Sequence, residues 1–83
     1  MSHRYRRDVL DQLAAHGIAP AADTPPQLVH DFVNDLYLYE LRRLRDRLLR
    51  KEFPKPGYHA RVVEVRNRYR LLASKPAHWL DQS

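Results

Sequence analysis

The sequence of 83 residues, with 43% apolar and 30% charged side chains, has the composition of one small globular domain (residues 1–83) and not that of a disordered chain. It contains no cysteine, which excludes disulfide bonds and thiolate chemistry, and no apolar run long enough to cross a membrane. A net charge of +5 leaves acidic partners, nucleic acid among them, as an open class of ligand.

The first predicted helix spans residues 3–16. Tyr5, Val9 and Leu13 recur every four residues and form one apolar stripe, and Gly17 is typical of the position that follows a helix end. The same stretch is charged throughout and lacks the apolar centre of a secretion signal. We therefore expect a cytoplasmic protein.

The second predicted helix, residues 25–52, is the longest element of the chain. Thr24 and Gln27 have the spacing of a capping box, with Pro25 at the first helical position. Pro54 cannot continue a helix and therefore marks its end. At about 1.5 Å per residue this helix would be roughly 40 Å long, so we expect the rest of the fold to form around it.

The apolar residues of this long helix form two stripes on different faces. The stripe of the first half consists of Leu28, Val29, Phe32, Val33 and Leu36. The stripe of the second half consists of Tyr37, Leu41, Leu44 and Leu48. At about 100° per residue the two stripes are centred roughly 120° apart, which is more than the drift of a uniform helix. We therefore expect helix 1 to cover the first half and helix 3 to cover the second half.

The third predicted helix spans residues 58–73 and follows a reversal of the chain at FPKPG. Its apolar stripe, at a spacing that suits antiparallel packing, consists of Tyr58, Val62, Val65, Tyr69 and Leu72. Residues 74–83 form a tail in which we expect Trp79 and Leu80 to fold back on the core. The predicted fold is all-α, with three helices and both flanking helices antiparallel to the long one.

Residues that would carry catalysis are scarce. His30, Asp31 and Asp35 are the nearest approach to a metal or acid–base cluster, but the histidine points away from the face shared by the two carboxylates. The serines lie in or near the chain ends, and two glycines are too few for a phosphate-binding loop. We therefore predict no catalytic residues, no metal site, no cofactor and no small-molecule substrate.

Basic residues are concentrated in the second half of the chain. Residues 23–40 contain four acidic side chains and no Lys or Arg, whereas residues 42–75 contain twelve basic side chains and three acidic ones. Such a basic half can neutralise phosphates, which predicts nucleic-acid binding as an alternative function. The candidate phosphate contacts are Arg43, Arg47, Arg50, Arg66 and Arg70.

Large apolar side chains that lie outside the predicted core stripes favour a different function, which is binding to another protein chain. The large apolar side chains that lie off the main stripes are Leu38, Leu49, Leu71 and Trp79. Residues 36–39 point in four directions, so the middle of the long helix is apolar around its circumference. We predict a non-catalytic interaction module, as a homodimer or with another protein, that makes contact through Leu38, Leu49 and Trp79. The alternative is a monomer in which the other helices and the tail cover this surface.

Overall fold

The computed structural model describes residues 3–81, so Gln82 and Ser83 of the predicted tail lie outside it. The predicted all-α class with a long second helix is confirmed. The elements in chain order are α1 (Arg7–Ala15), α2 (Pro26–Leu49), α3 (Pro56–Arg68), a 3₁₀ turn at Arg70–Ala73 and a second 3₁₀ turn at Pro76–Trp79.

Helix α1 begins four residues later than the sequence predicts, because the segment before it is extended. The Arg6 amide donates to the carbonyl of Trp79 (2.8 Å), and the Asp81 amide donates to the carbonyl of Arg4 (2.8 Å). These two hydrogen bonds pair the first described residues with the last ones. Local periodicity cannot reveal a pairing between segments so distant in the chain, which is why the predicted start was wrong.

The predicted capping box at the start of α2 was also wrong. Pro25 is extended (φ −64°, ψ 137°) and precedes the first helical residue, Pro26, with no side-chain cap. A proline disfavours the helical conformation in the residue before it, so the second proline sets the start of the helix. The Thr24 hydroxyl instead accepts a hydrogen bond from the amide of Ala21 (3.1 Å), within the preceding turn.

Helix α2 ends in a Schellman motif instead of continuing to the prolines. The Lys51 amide donates to the carbonyl of Leu48 (2.9 Å), and the Glu52 amide donates to the carbonyl of Arg47 (3.0 Å). This arrangement requires a left-handed residue, and Lys51 adopts it at φ 60°. The helix therefore stops at Leu49, three residues before the predicted end.

Helix α3 is shorter at its end than predicted. It stops at Arg68, because Tyr69 leaves the helical conformation (φ −114°, ψ 42°) and the chain continues as the 3₁₀ turn Arg70–Ala73. This change of direction brings Leu71 into the core, although the sequence pattern places it on the outer face of the helix.

Around α2 the predicted contact with α3 is confirmed, whereas the predicted contact with α1 on the first half is not shown. Helix α2 packs against α3 and against both 3₁₀ turns, whereas direct packing of α1 on α2 is not shown. The Trp79 indole of the second 3₁₀ turn lies 5.4 Å from the His30 ring on α2. The residues that follow α1 and α3 contact each other, since the His16 ring stacks on Tyr69 at 4.4 Å.

The core is a single cluster that follows the length of the molecule. Its buried side chains are Tyr5, Val9, Leu13, Val29, Val33, Leu44, Phe53, Val65, Tyr69, Leu71 and Trp79. Trp79 is completely buried, which confirms that this part of the tail folds back on the core. The molecule measures 49 × 18 × 16 Å, so α2 lies along an elongated body with one long side open to solvent.

Candidate protein-interaction surface

Only one edge of the first predicted stripe of α2 is buried. Val29 and Val33 lie in the core, whereas Leu28 and Phe32 are 62% and 53% exposed. The expectation that all of these residues face a neighbouring helix was therefore wrong. The physical reason is that Trp79 reaches α2 from the C-terminal segment, and α1 does not cover the Leu28 side.

The buried side chains of α2 consequently lie closer to one common face than predicted. With Leu28 and Phe32 removed, the buried or half-buried residues of the two halves are centred roughly 80° apart at about 100° per residue. One side of the helix therefore carries the core contacts along its whole length. The opposite side is open from end to end.

That open side carries a line of large apolar side chains. Leu28, Leu38, Tyr39 and Leu49 expose 62%, 44%, 55% and 68% of their surfaces. Five charged residues, all of them exposed, lie between these apolar ones on the same side. We call this surface the outer strip of α2, and it consists of Leu28, Asp31, Asp35, Leu38, Tyr39, Arg42, Arg45, Asp46 and Leu49.

The outer strip has a regular geometry. Leu28, Asp35, Arg42 and Leu49 follow one another at seven-residue intervals. At about 100° per residue the whole strip lies within about 120° of the helix circumference, and it extends over roughly 30 Å. A seven-residue interval drifts by only about 20° per repeat, so a second straight helix can follow the strip with a small crossing angle.

Two of the three predicted protein contacts belong to the outer strip. Leu38 and Leu49 are both exposed on it. Trp79 is 0% exposed and contacts His30 inside the molecule, so its side chain does not contribute to this surface. Sequence reasoning did not select Leu28 and Tyr39 as contacts, although the seven-residue row from Leu28 to Leu49 was a signal that could have found Leu28.

The five predicted phosphate contacts lie at several places around the second half of the chain. Arg43 and Arg47 line a shallow cavity of about 250 Å³ between α2 and α3, beside Glu40. Arg66 and Arg70 line another cavity, of about 490 Å³, beside Tyr37. The structure thus brings these arginines together in pairs and leaves Arg50 at the end of α2.

Several basic side chains already interact with acidic or aromatic neighbours. Glu52 lies 3.3 Å from Arg47 Nε and 3.7 Å from Arg50 Nε, and it reduces the positive charge at that end of α2. The guanidinium groups of Arg47 and Arg61 lie 5.5 Å and 4.3 Å from the Phe53 ring. These contacts bury an apolar ring under long side chains whose charged ends stay at the surface.

The tyrosines beside these arginines are not acid–base groups at neutral pH. Burial raises the pKa of Tyr69 to about 12, and the neighbouring carboxylate of Glu40 adds to the rise. Burial also raises the pKa of Tyr5, whose hydroxyl donates to the Thr24 carbonyl at 2.7 Å. Both hydroxyls are therefore protonated across the physiological range, and both serve packing.

The three residues that come nearest to a metal cluster in the sequence are dispersed in the structure. The His30 ring packs against Trp79, whereas Asp31 and Asp35 are exposed on the outer strip. Among residues 3–81 no group of three or more histidine or acidic side chains could hold a metal ion, and no helix is long and apolar enough to cross a membrane. No family model, curated protein or solved structure matches this chain. A functional proposal therefore depends on the surface of the chain itself.

Proposed function

We propose that this protein is a non-catalytic interaction module that associates with itself. The observation that carries the proposal is the row of exposed apolar residues on the outer strip, from Leu28 to Leu49. Single exposed leucines are ordinary, but a row of them along one helix face marks a surface that binds another protein. A second copy of the chain is the simplest partner, because most soluble oligomers are symmetric homo-oligomers.

The shape of the molecule supports the proposal. Its radius of gyration is 15.3 Å, whereas a compact domain of this length has about 12 Å. Its accessible surface is 6330 Å², whereas a monomeric protein of this mass has roughly 5,200 Å². The single chain therefore buries less surface than its size allows, and association along the long open side would reduce that excess.

The mass in solution tests this proposal. Light scattering should give about twice the 9.9 kDa chain mass at both low and high salt, because the apolar contacts do not depend on ionic strength. Leu38→Glu should return the protein to the monomer, since it places a charge in the middle of the apolar row. The matched control is Val63→Glu, which adds the same side chain at an exposed apolar position of α3 and should leave the dimer intact. A wild-type monomer at all accessible concentrations would refute the proposal.

Nucleic-acid binding through the basic half, residues 42–75, is the second candidate. It is favoured by Arg66 and Arg70, which are exposed and form no ion pair with another residue of the described range 3–81. It ranks second because Arg47, Arg50 and other arginines already contact acidic side chains. A purified monomer that carries nucleic acid, released steeply as salt is raised, would favour this candidate over self-association.

We also propose a cytoplasmic location. A chain with no cysteine gains no stability from an oxidising compartment, which is compatible with the cytoplasm.

A further inference from the structure

We infer that two copies pair through their outer strips with the α2 helices antiparallel, about a two-fold axis that passes between Leu38 and Tyr39. This inference rests on the proposed self-association and adds its geometry. The geometric requirement is met because the strip is straight, exposed along its whole length, and opposite the core face of α2. Its midpoint is also close to the middle of the helix Pro26–Leu49.

The seven-residue row supports this register directly. In an antiparallel pair, each residue faces the one that lies equally far on the other side of the axis. Leu28 of one copy then faces Leu49 of the other, and this apolar contact occurs at both ends of the interface. Asp35 of one copy faces Arg42 of the other, again twice, so opposite charges meet on either side of the axis.

The neighbouring row gives the same result independently. Asp31, Leu38 and Arg45 are also spaced by seven residues and are exposed on the same flank of the strip. Equivalent flanks meet in an antiparallel pair, so Asp31 of one copy comes beside Arg45 of the other. Leu38 comes beside its own symmetry mate near the axis. Both rows therefore match apolar with apolar residues and acidic with basic ones, whereas Asp46, which lies outside the two rows, faces Asp31 of the other copy.

Several other arrangements of the same two helices place like charges together. In a parallel pair Asp35 would face Asp35 and Arg42 would face Arg42. Shifting the antiparallel register by one heptad in either direction also places one of these residues opposite its own copy. A shift by half a heptad avoids this repulsion but brings Leu28 or Leu49 opposite a charged residue. The charge pattern and the apolar ends of the strip therefore select the orientation and the register together.

The pattern also explains why the occupant is a second copy and not an unrelated protein. An isologous interface requires one surface to be complementary to itself after a two-fold rotation. The two heptad rows of the outer strip have this property, because Asp31 and Asp35 precede the axis and Arg42 and Arg45 follow it at closely matching distances, with Asp46 as the exception. An unrelated partner would not require the sequence of this strip to be symmetric about its own midpoint.

Cysteine cross-linking tests the register of the helix pair. Native cysteines cannot interfere, because the chain contains none. Leu28→Cys and Leu49→Cys are prepared as separate proteins, mixed under reducing conditions so that the copies exchange, and then oxidised. We expect a disulfide-linked dimer from the mixture and none from either variant alone, since residue 28 lies roughly 30 Å from its own symmetry mate in this geometry. A second pair, Asp31→Cys with Arg45→Cys, leaves the leucines in place and should behave in the same way.

The outcomes separate this inference from the proposed function. Cross-linking of Leu28→Cys with itself would show a parallel pair and overturn the inference, while self-association would stand. A wild-type dimer whose two mixed pairs both fail to cross-link, although the reduced variants remain dimeric, would likewise overturn the geometry alone. A wild-type chain that is monomeric by light scattering would overturn both.

Discussion

Within the described residues 3–81, two residues adopt the left-handed backbone conformation, and only one of them is a glycine. Gly17 ends α1 at φ 76°, where the sequence predicts a stop, and a Cβ at this position would contact nothing within 4 Å. Lys51 ends α2 at φ 60° and carries a side chain that is strained in this conformation. The sequence therefore predicts the end of α1 correctly but does not predict the end of α2.

We expect Lys51→Gly to raise the free energy of unfolding by about 1 kcal/mol, because glycine occupies the left-handed region without a Cβ clash. The converse change, Gly17→Ala, should lower it by about 1 to 2 kcal/mol for the same reason. Urea unfolding at one fixed protein concentration measures both changes. Equal stability of Lys51→Gly and the wild type would show that the φ angle of Lys51 is not a source of strain.

The role of Trp79 could not be predicted from its position in the sequence. It lies off the periodic stripes, so the same observation supports either a core residue or a partner contact. Its burial depends on the 3₁₀ turn Pro76–Trp79 and on the backbone hydrogen bond that its carbonyl accepts from Arg6. Neither feature has a local sequence signature, and a three-dimensional arrangement was needed to decide between the two roles.

At the level of the element, the long helix was predictable in type and length but not in which side it buries. Val29 and Phe32 are equally apolar members of one predicted stripe, and the structure buries the first and exposes the second. The choice is made by Trp79, a neighbour that lies far away in sequence. Amphipathic periodicity predicts which residues share a face, whereas the partner of that face depends on long-range packing.

The charge pattern of the outer strip gives a second prediction at this level. Asp35→Arg alone and Arg42→Asp alone should each replace two attractive contacts per dimer with repulsive ones and weaken the dimer roughly tenfold. The two changes combined in one chain should restore the wild-type dissociation constant, because opposite charges then face each other again.

Sedimentation equilibrium at low salt measures these dissociation constants. The control is Glu64→Arg on α3, which is exposed outside the strip and should leave the constant unchanged. A parallel dimer would give a different pattern, since neither single reversal would create a new repulsion in it. Persistence of full affinity in both single variants would therefore count against the antiparallel register.

At the scale of the whole molecule, folding and association should be coupled. The elongated single chain has a small core for its surface, so the proposed dimer would add a substantial part of its buried apolar area. We expect the thermal midpoint to rise with protein concentration, as mass action requires for a folded dimer that unfolds to single chains. Scanning calorimetry over a hundredfold concentration range measures this shift. The midpoint of Leu38→Glu should be independent of concentration if that variant is a folded monomer.

The pairing between the first and last described segments determines when the chain can fold during its synthesis on the ribosome. Trp79 is completely buried in the core, and the backbone hydrogen bonds of Arg4 and Arg6 are made with residues 79–81. A nascent chain that has reached only the end of α3 lacks both this buried side chain and the segment that pairs with residues 4–6. Such a chain cannot close its hydrophobic interior on the ribosome, so this protein completes its folding only after residue 81 has emerged from the exit tunnel.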